Sequence, residues 1–176
     1  MAPLSFEDEI RNAALRYCSL GWRVIPIFGI SEKGLCHCKN LECKAPGKHP
    51  ALPDWVNRAS SDPAIVSNWE WKNRNIGIAT GEKSNLLVVD IDVDKDGDMH
   101  LREWERTHNV ILETELRVIT GSGGYHYYFR YPSDFDLGDL KNSVGKIQGV
   151  DIRVNGGQVV APPSRHKSGR NYEWEV

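Results

Sequence analysis

The chain has 176 residues, 40% of them hydrophobic and 26% charged, which bounds it to one folded domain, or two small subdomains sharing a core, and excludes a disordered chain. A formal net charge of −2 excludes a protein that coats nucleic acid by bulk positive charge, but it allows a local basic face offset by an acidic metal site. No apolar run approaches the roughly 18 residues of a membrane span, and the acidic N-terminus lacks the basic and apolar regions of a secretory signal, so a cytoplasmic location is expected.

Ser5-Phe6-Glu7-Asp8 predicts a helix start, with Ser5 as cap and acids in the first turn. Ile10, Ala13, Ala14, Tyr17 and Cys18 follow at helical spacing, and Leu20-Gly21 stops the helix. Cys18 reads as a buried thiol. Trp22 to Phe28 reads as a strand, and Pro26 marks it as an edge or a bulge.

Residues 29–53 form a long loop that carries Cys36, Cys38 and Cys43. Thiols so close in sequence do not easily pair as disulfides, and a reducing compartment is expected without a secretion signal. Three thiols followed six residues later by a histidine predict a tetrahedral structural Zn2+ site of Cys36, Cys38, Cys43 and His49. His37 is the alternative fourth ligand. The Pro46-Gly47 turn would bring His49 back to the thiolates, and the metal would staple a loop of this length.

Ser61-Asp62-Pro63 starts a second helix, from which Ile65, Trp69 and Trp71 are expected to point inward. Asn75 to Ala79 is a short strand. Leu86-Leu87-Val88-Val89-Asp90-Ile91-Asp92 is the strongest strand in the sequence. Residues two apart on a strand share a face, so Asp90 and Asp92 project together, while Ile91 buries on the other side and holds the register. Two carboxylates that close repel unless a cation holds them, and Mg2+ or Mn2+ wants such oxygens. The run Asp92-x-Asp94-x-Asp96-Gly97, with Glu103 at the twelfth place, also matches the EF-hand calcium loop. A β-type lead-in and the lack of a second such loop argue against calcium.

Residues 97–108 read as a helix, Leu116 to Thr120 as a strand, and Gly121-Ser122-Gly123-Gly124 as the turn of a hairpin whose second strand runs from Tyr125 to Tyr131. That turn has no Walker lysine and opens a strand, so it is neither a P-loop nor a Rossmann fingerprint. Its glycines let backbone N–H groups approach a phosphate, and His126 could reach the same anion. Tyr128 and Arg130 share the face of His126. Gln148 to Arg153 and Gln158 to Ala161 are two more strands, with a tight-turn signal at Asn155-Gly156-Gly157 between them. The fold class is mixed α+β, without a regular βαβ period.

The near-neutral total hides an asymmetry. Residues 86–116 hold nine acids and three bases, whereas residues 140–170 hold six bases (Lys141, Lys146, Arg153, Arg165, Lys167 and Arg170) and a single acid, Asp151. Asp151 and Arg153 share a strand face. A third carboxylate meeting Asp90 and Asp92 across a sheet would complete a two-metal site.

Taken in order, Gly21-Trp22-Arg23-Val24-Ile25-Pro26, Pro46-Gly47-Lys48-His49-Pro50, Asn75-Ile76-Gly77-Ile78-Ala79-Thr80-Gly81, Val89-Asp90-Ile91-Asp92, Gly121 to Phe129, Gly149-Val150-Asp151-Ile152-Arg153 and Val160-Ala161-Pro162-Pro163-Ser164 resemble the primase-polymerase (Prim-Pol) domain of the archaeo-eukaryotic primase superfamily. The resemblance covers nearly the whole chain. It implies an RRM-like β-sheet core with an N-terminal α/β portion, in subdomains of roughly 1–80 and 81–176. It implies catalytic Asp90, Asp92 and Asp151 on two Mg2+ or Mn2+ ions, and a glycine turn ending in His126 on the nucleotide triphosphate. Ser122, Gly123, Gly124, Lys48, Lys146 and Arg153 are further nucleotide contacts by charge and position. Many superfamily members carry serine two residues before the histidine, where this chain has Gly124.

The implied activity is that of a DNA primase/DNA polymerase, a nucleotidyltransferase acting on NTP or dNTP with a single-stranded DNA template and primer. The setting is a fragment of a larger replication protein of a phage, plasmid or mobile element, with a linked or separate helicase as a possible partner. Two alternatives compete: a non-catalytic module that binds single-stranded DNA or nucleotide, and a metal-dependent nuclease using the same carboxylates.

Overall fold

The computed structural model describes residues 3–132 and 142–175, so Lys141 of the basic stretch lies outside the described residues. The helices are α1 (Phe6–Ser19), α2 (Trp55–Arg58), α3 (Pro63–Val66) and α4 (Gly97–His108). The strands are β1 (Val24–Phe28), β2 (Arg74–Ala79), β3 (Leu86–Ile91), β4 (Arg117–Ile119), β5 (Tyr125–Arg130), β6 (Ser143–Ile147), β7 (Val150–Arg153), β8 (Gln158–Ala161) and β9 (Glu173–Trp174). They form two antiparallel sheets, one of order β1-β2-β8 and one of order β6-β7-β3-β5-β4-β9. The mixed α+β class expected from the sequence is the class found.

Local chemistry explains most boundaries. Ser5 Oγ accepts the Asp8 N–H and caps α1, whose buried stripe is the predicted Ile10, Ala13, Ala14, Tyr17 and Cys18. Pro26 is tolerated because β1 is an edge strand. In the short α3, capped by Asp62, the inward residue is Val66 and not the predicted Ile65, which is 48% exposed. One helical turn presents a single residue to α1, and Trp71, buried as expected, then donates its indole N–H to the Val66 carbonyl. Trp69 packs half-buried on the same core.

The second half departs from expectation in three places. β7 begins at Val150, not Gln148, because Gln148 and Gly149 turn the chain between β6 and β7, with Gly149 at φ 71°. β6 and β9 are additional strands. The Asn155-Gly156-Gly157 turn makes no hairpin: β7 and β8 belong to different sheets, and the turn passes the chain from one to the other.

Alternation along β3 separates two cores. Leu86 and Val88 face α1, Trp22, Tyr128 and strands of the first sheet, while Val89 and Ile91 face Leu101 of α4 and Val150. The first core is aromatic: Trp22 stacks between Tyr17 and Tyr128 at 5.7 and 5.6 Å, and Trp174 closes on Tyr128 at 5.2 Å. Each aliphatic side chain so buried contributes about 1.5–3 kcal/mol. Asp90 is the next position on the Leu86–Val88 face, where this core gives way to a cleft. No helix among the described residues is long and apolar enough to cross a membrane.

Candidate active site and metal centre

Asp90 pairs in register with His126 on β5 and with Asp151 on β7. Directly opposed residues share a sheet face, so His126, Asp90 and Asp151 form one row across three adjacent strands. His126 Nε2 lies 3.4 Å from Asp90 Oδ1. Arg153, on the same face as Asp151, places Nη2 2.8 Å from Asp151 Oδ2 and 3.7 Å from Asp90 Oδ2. The Gly145 N–H donates to Asp151 Oδ1 at 3.2 Å. Asp92 follows the end of β3 and pairs with Lys95 at 2.7 Å.

Burial pushes the Asp90 carboxyl up. The His126 hydrogen bond, with the charges of His126, Arg153 and Lys48, outweighs that and holds it below the usual carboxylate range. Asp90 and Asp92 line the same cleft, and Asp151 is the cross-strand neighbour of Asp90. Among the described residues the three carboxylates do not converge as a ready ligand set: Asp92 pairs with Lys95, Asp90 with His126 and Asp151 with Arg153.

The cleft encloses about 330 Å3. Asp90, Asp92 and His126 lie at one wall, with Thr120 and Ser122 of the glycine turn beside them. Lys48, Trp55, Asn142, Arg153, Gln158 and Tyr172 are among the rest of the lining. Lys146 sits exposed on β6 and is not part of it.

The glycine turn is tightly bonded within itself. The Gly123 N–H donates to the Thr120 carbonyl and the Gly124 N–H to Thr120 Oγ1. These two amides are therefore engaged inside the turn, and the side chains of Thr120 and Ser122, their hydroxyl oxygens 3.0 Å apart, face the cleft. Gly123 adopts φ 94°. A Cβ at Gly124 would stand 2.2 Å from the Ile91 carbonyl oxygen, so the close passage of β3 accounts for glycine here. Arg170 Nε donates to the Gly121 carbonyl at 2.9 Å and lays its guanidinium over the turn.

The Asp92–Glu103 run does not fold as a calcium loop. β3 leads into it in place of a helix, and α4 begins at Gly97, so the sixth to twelfth positions are helical.

Cys36, Cys38, Cys43 and His49 converge, with one donor atom from each all within 4.8 Å of one another. His49 Nε2 lies 3.5 Å from Cys36 Sγ and 3.4 Å from Cys43 Sγ. Tetrahedral zinc with Zn–S of about 2.3 Å and Zn–N of about 2.0–2.1 Å sets an S···N edge of about 3.5–3.6 Å. The cluster therefore fits zinc, with His49 and not His37 as the fourth ligand. Burial, then the neighbouring Cys38 and Cys36 sulfurs, pushes the Cys43 thiol up to about 11, a crowding of negative charge that a bound cation relieves. Gly47, at φ 74°, turns the chain so that His49 returns over Phe28, their rings 4.9 Å apart.

Sequence reasoning missed Trp55, Asn142, Gln158 and Tyr172 as cleft residues, and counted Arg170 only as one of the basic stretch. Nothing in their local pattern signals the cleft; they reach it by the crossing of the two sheets.

A family model for the N-terminal domain of bifunctional DNA primase/polymerases matches residues 14–176. A search of curated proteins finds no match. With the strand order, the carboxylate row and the glycine turn all falling inside the matched residues, the chain belongs to the Prim-Pol family, bifunctional DNA primase/polymerase N-terminal domains.

Proposed function

We propose that the chain is a template-directed nucleotidyltransferase that builds a strand from NTP or dNTP. The observation that carries the reading is the His126–Asp90–Asp151 row beside the glycine turn. Asp90, Asp92 and Asp151 would hold two Mg2+ or Mn2+ ions. When bound, such ions lower the pKa of the attacking 3′-hydroxyl and stabilise the leaving pyrophosphate. His126 holds the Asp90 carboxylate by its Nε2 and keeps it ionised. Lys48, Arg153, Arg170 and the Ser122 hydroxyl gather positive charge and a donor where a triphosphate would lie.

Zinc on Cys36, Cys38, Cys43 and His49 has a structural role in this reading, since four protein ligands close the coordination sphere. The domain acts within a larger replication protein of a phage, plasmid or mobile element, supplied with unwound template by a helicase.

A primer-extension and de novo priming assay with both rNTPs and dNTPs tests the activity. The Asp90→Ala, Asp92→Ala double variant should lose incorporation and keep its fold by circular dichroism. Retained incorporation refutes the assignment, whereas strand binding without incorporation in the wild type favours the silent binding module.

A further inference from the structure

A second groove shares no lining residue with the carboxylate cleft. It consists of two adjoining cavities of about 510 and 560 Å3, which meet at Ser31, His37 and the segment 72–74. Lys33, Lys39, Lys72, Arg74 and Arg165 line it, against the acids Glu7, Glu32 and Glu70. Among the described residues none of these five cations has a carboxylate within 4.0 Å. Glu70 is turned to local use, accepting the Lys72 backbone N–H at 3.1 Å.

Two of the cations sit over aromatic rings. The Arg74 guanidinium lies 5.1 Å from the Phe28 ring centre, and that of Arg165 lies 4.1 Å from that of Phe6. An arginine laid on an aromatic ring is pre-ordered and offers a planar surface on which a base can stack. The exposed Lys33, Lys39 and Lys72 carry mobile charges suited to phosphates. Unpaired cations alternating with planar platforms are the chemistry that takes single-stranded nucleic acid without reading its sequence. A membrane or an acidic peptide would use the charges but not the platforms.

We propose that this groove is a second nucleic-acid site, which holds a single strand by phosphate contacts to Lys33, Lys39 and Lys72 and by base stacking on the Arg74–Phe28 and Arg165–Phe6 pairs. The site goes beyond the nucleotidyl-transfer reading and does not need the carboxylates.

The test is fluorescence anisotropy of the full chain with a labelled 20-nucleotide oligonucleotide in magnesium-free buffer over a range of salt. Two lost phosphate contacts should lower the slope of log affinity against log salt by about 1.4 in the Lys33→Gln, Lys72→Gln double variant. Arg74→Gln should weaken the single strand about 5-fold or more and a duplex less. Both variants should melt as the wild type does. Unchanged affinity and slope in the double variant overturn the site, and equal losses on duplex and single strand overturn the single-strand assignment. Primer extension run alongside separates the two readings. Failure of the polymerase leaves strand binding intact, while failure of the groove leaves the binding of these variants at the wild-type level.

Discussion

His126 Nε2 stands 3.4 Å from Asp90 Oδ1, and the two residues are register partners on β5 and β3. The imidazole is buried, and among the described residues its Nδ1 has no hydrogen-bond partner, so its polar contact there is with the carboxylate. His126→Ala should lower nucleotide incorporation about 10–100-fold, as loss of a group that orients a metal-binding carboxylate does. Steady-state incorporation measured over a range of Mn2+ is the check, because the loss should shrink as Mn2+ rises.

Trp55 lines the cleft and pairs with no other aromatic ring among the described residues. It packs half-buried on the cluster of Ile25, Ile27, Ala59 and Ala79, and in the proposed reading its cleft side would meet the base of a nucleotide whose phosphates lie near Ser122. Trp55→Ala should weaken nucleotide binding about 10–100-fold, the range of a lost base stack, and Trp55→Phe should recover most of it. Binding of inorganic tripolyphosphate should be the same in all three proteins, which calorimetry can measure.

The Cys3His cluster should carry one zinc per chain by elemental analysis, and Cys43→Ser should lose it. Without the ion the loop of residues 29–53 loses its staple and His49 its seat on Phe28. The melting temperature should fall by about 2–4 °C for each kcal/mol lost in a chain of this size. A chelator titration followed by calorimetry measures the drop.

His166 is buried beneath the glycine turn, and its Nδ1 accepts the Ser168 N–H at 3.2 Å. Burial first, then the charges of Lys48, Lys167 and Arg170, lower its pKa to about 4. The unfolded chain, with histidine near 6.5, therefore binds the proton more readily than the native one between those values. Stability from this residue is full above about pH 6.5 and is lost as the pH falls towards 4, on the order of 3 kcal/mol in all. Urea melts of wild type and His166→Asn should converge across that window and run parallel above it.

Gly124→Ser sets a Cβ against the Ile91 carbonyl oxygen. The Cβ and the carbonyl oxygen are both fixed by the backbone, so the contact cannot be relieved by a rotamer. A loss of about 1–3 kcal/mol is expected by denaturant melt, with β3 and the turn forced apart.

The sequence by itself determined the local units. The α1 cap and stripe, the aliphatic β3 run into Asp90, the three zinc thiols and the glycine turn follow from periodicity and spacing, which act over a few residues. Tertiary structure decided which unit meets which. Asp151 reaches Asp90 only through the β3–β7 register, His49 displaces His37 only when Gly47 turns the chain, and Asn155-Gly156-Gly157 changes sheets where its composition alone reads as a hairpin. Trp55 enters the cleft from a four-residue helix with no period to read. Strand pairing and loop packing are non-local: their free energy comes from burying surfaces distant in sequence, and no window of neighbouring residues carries that information.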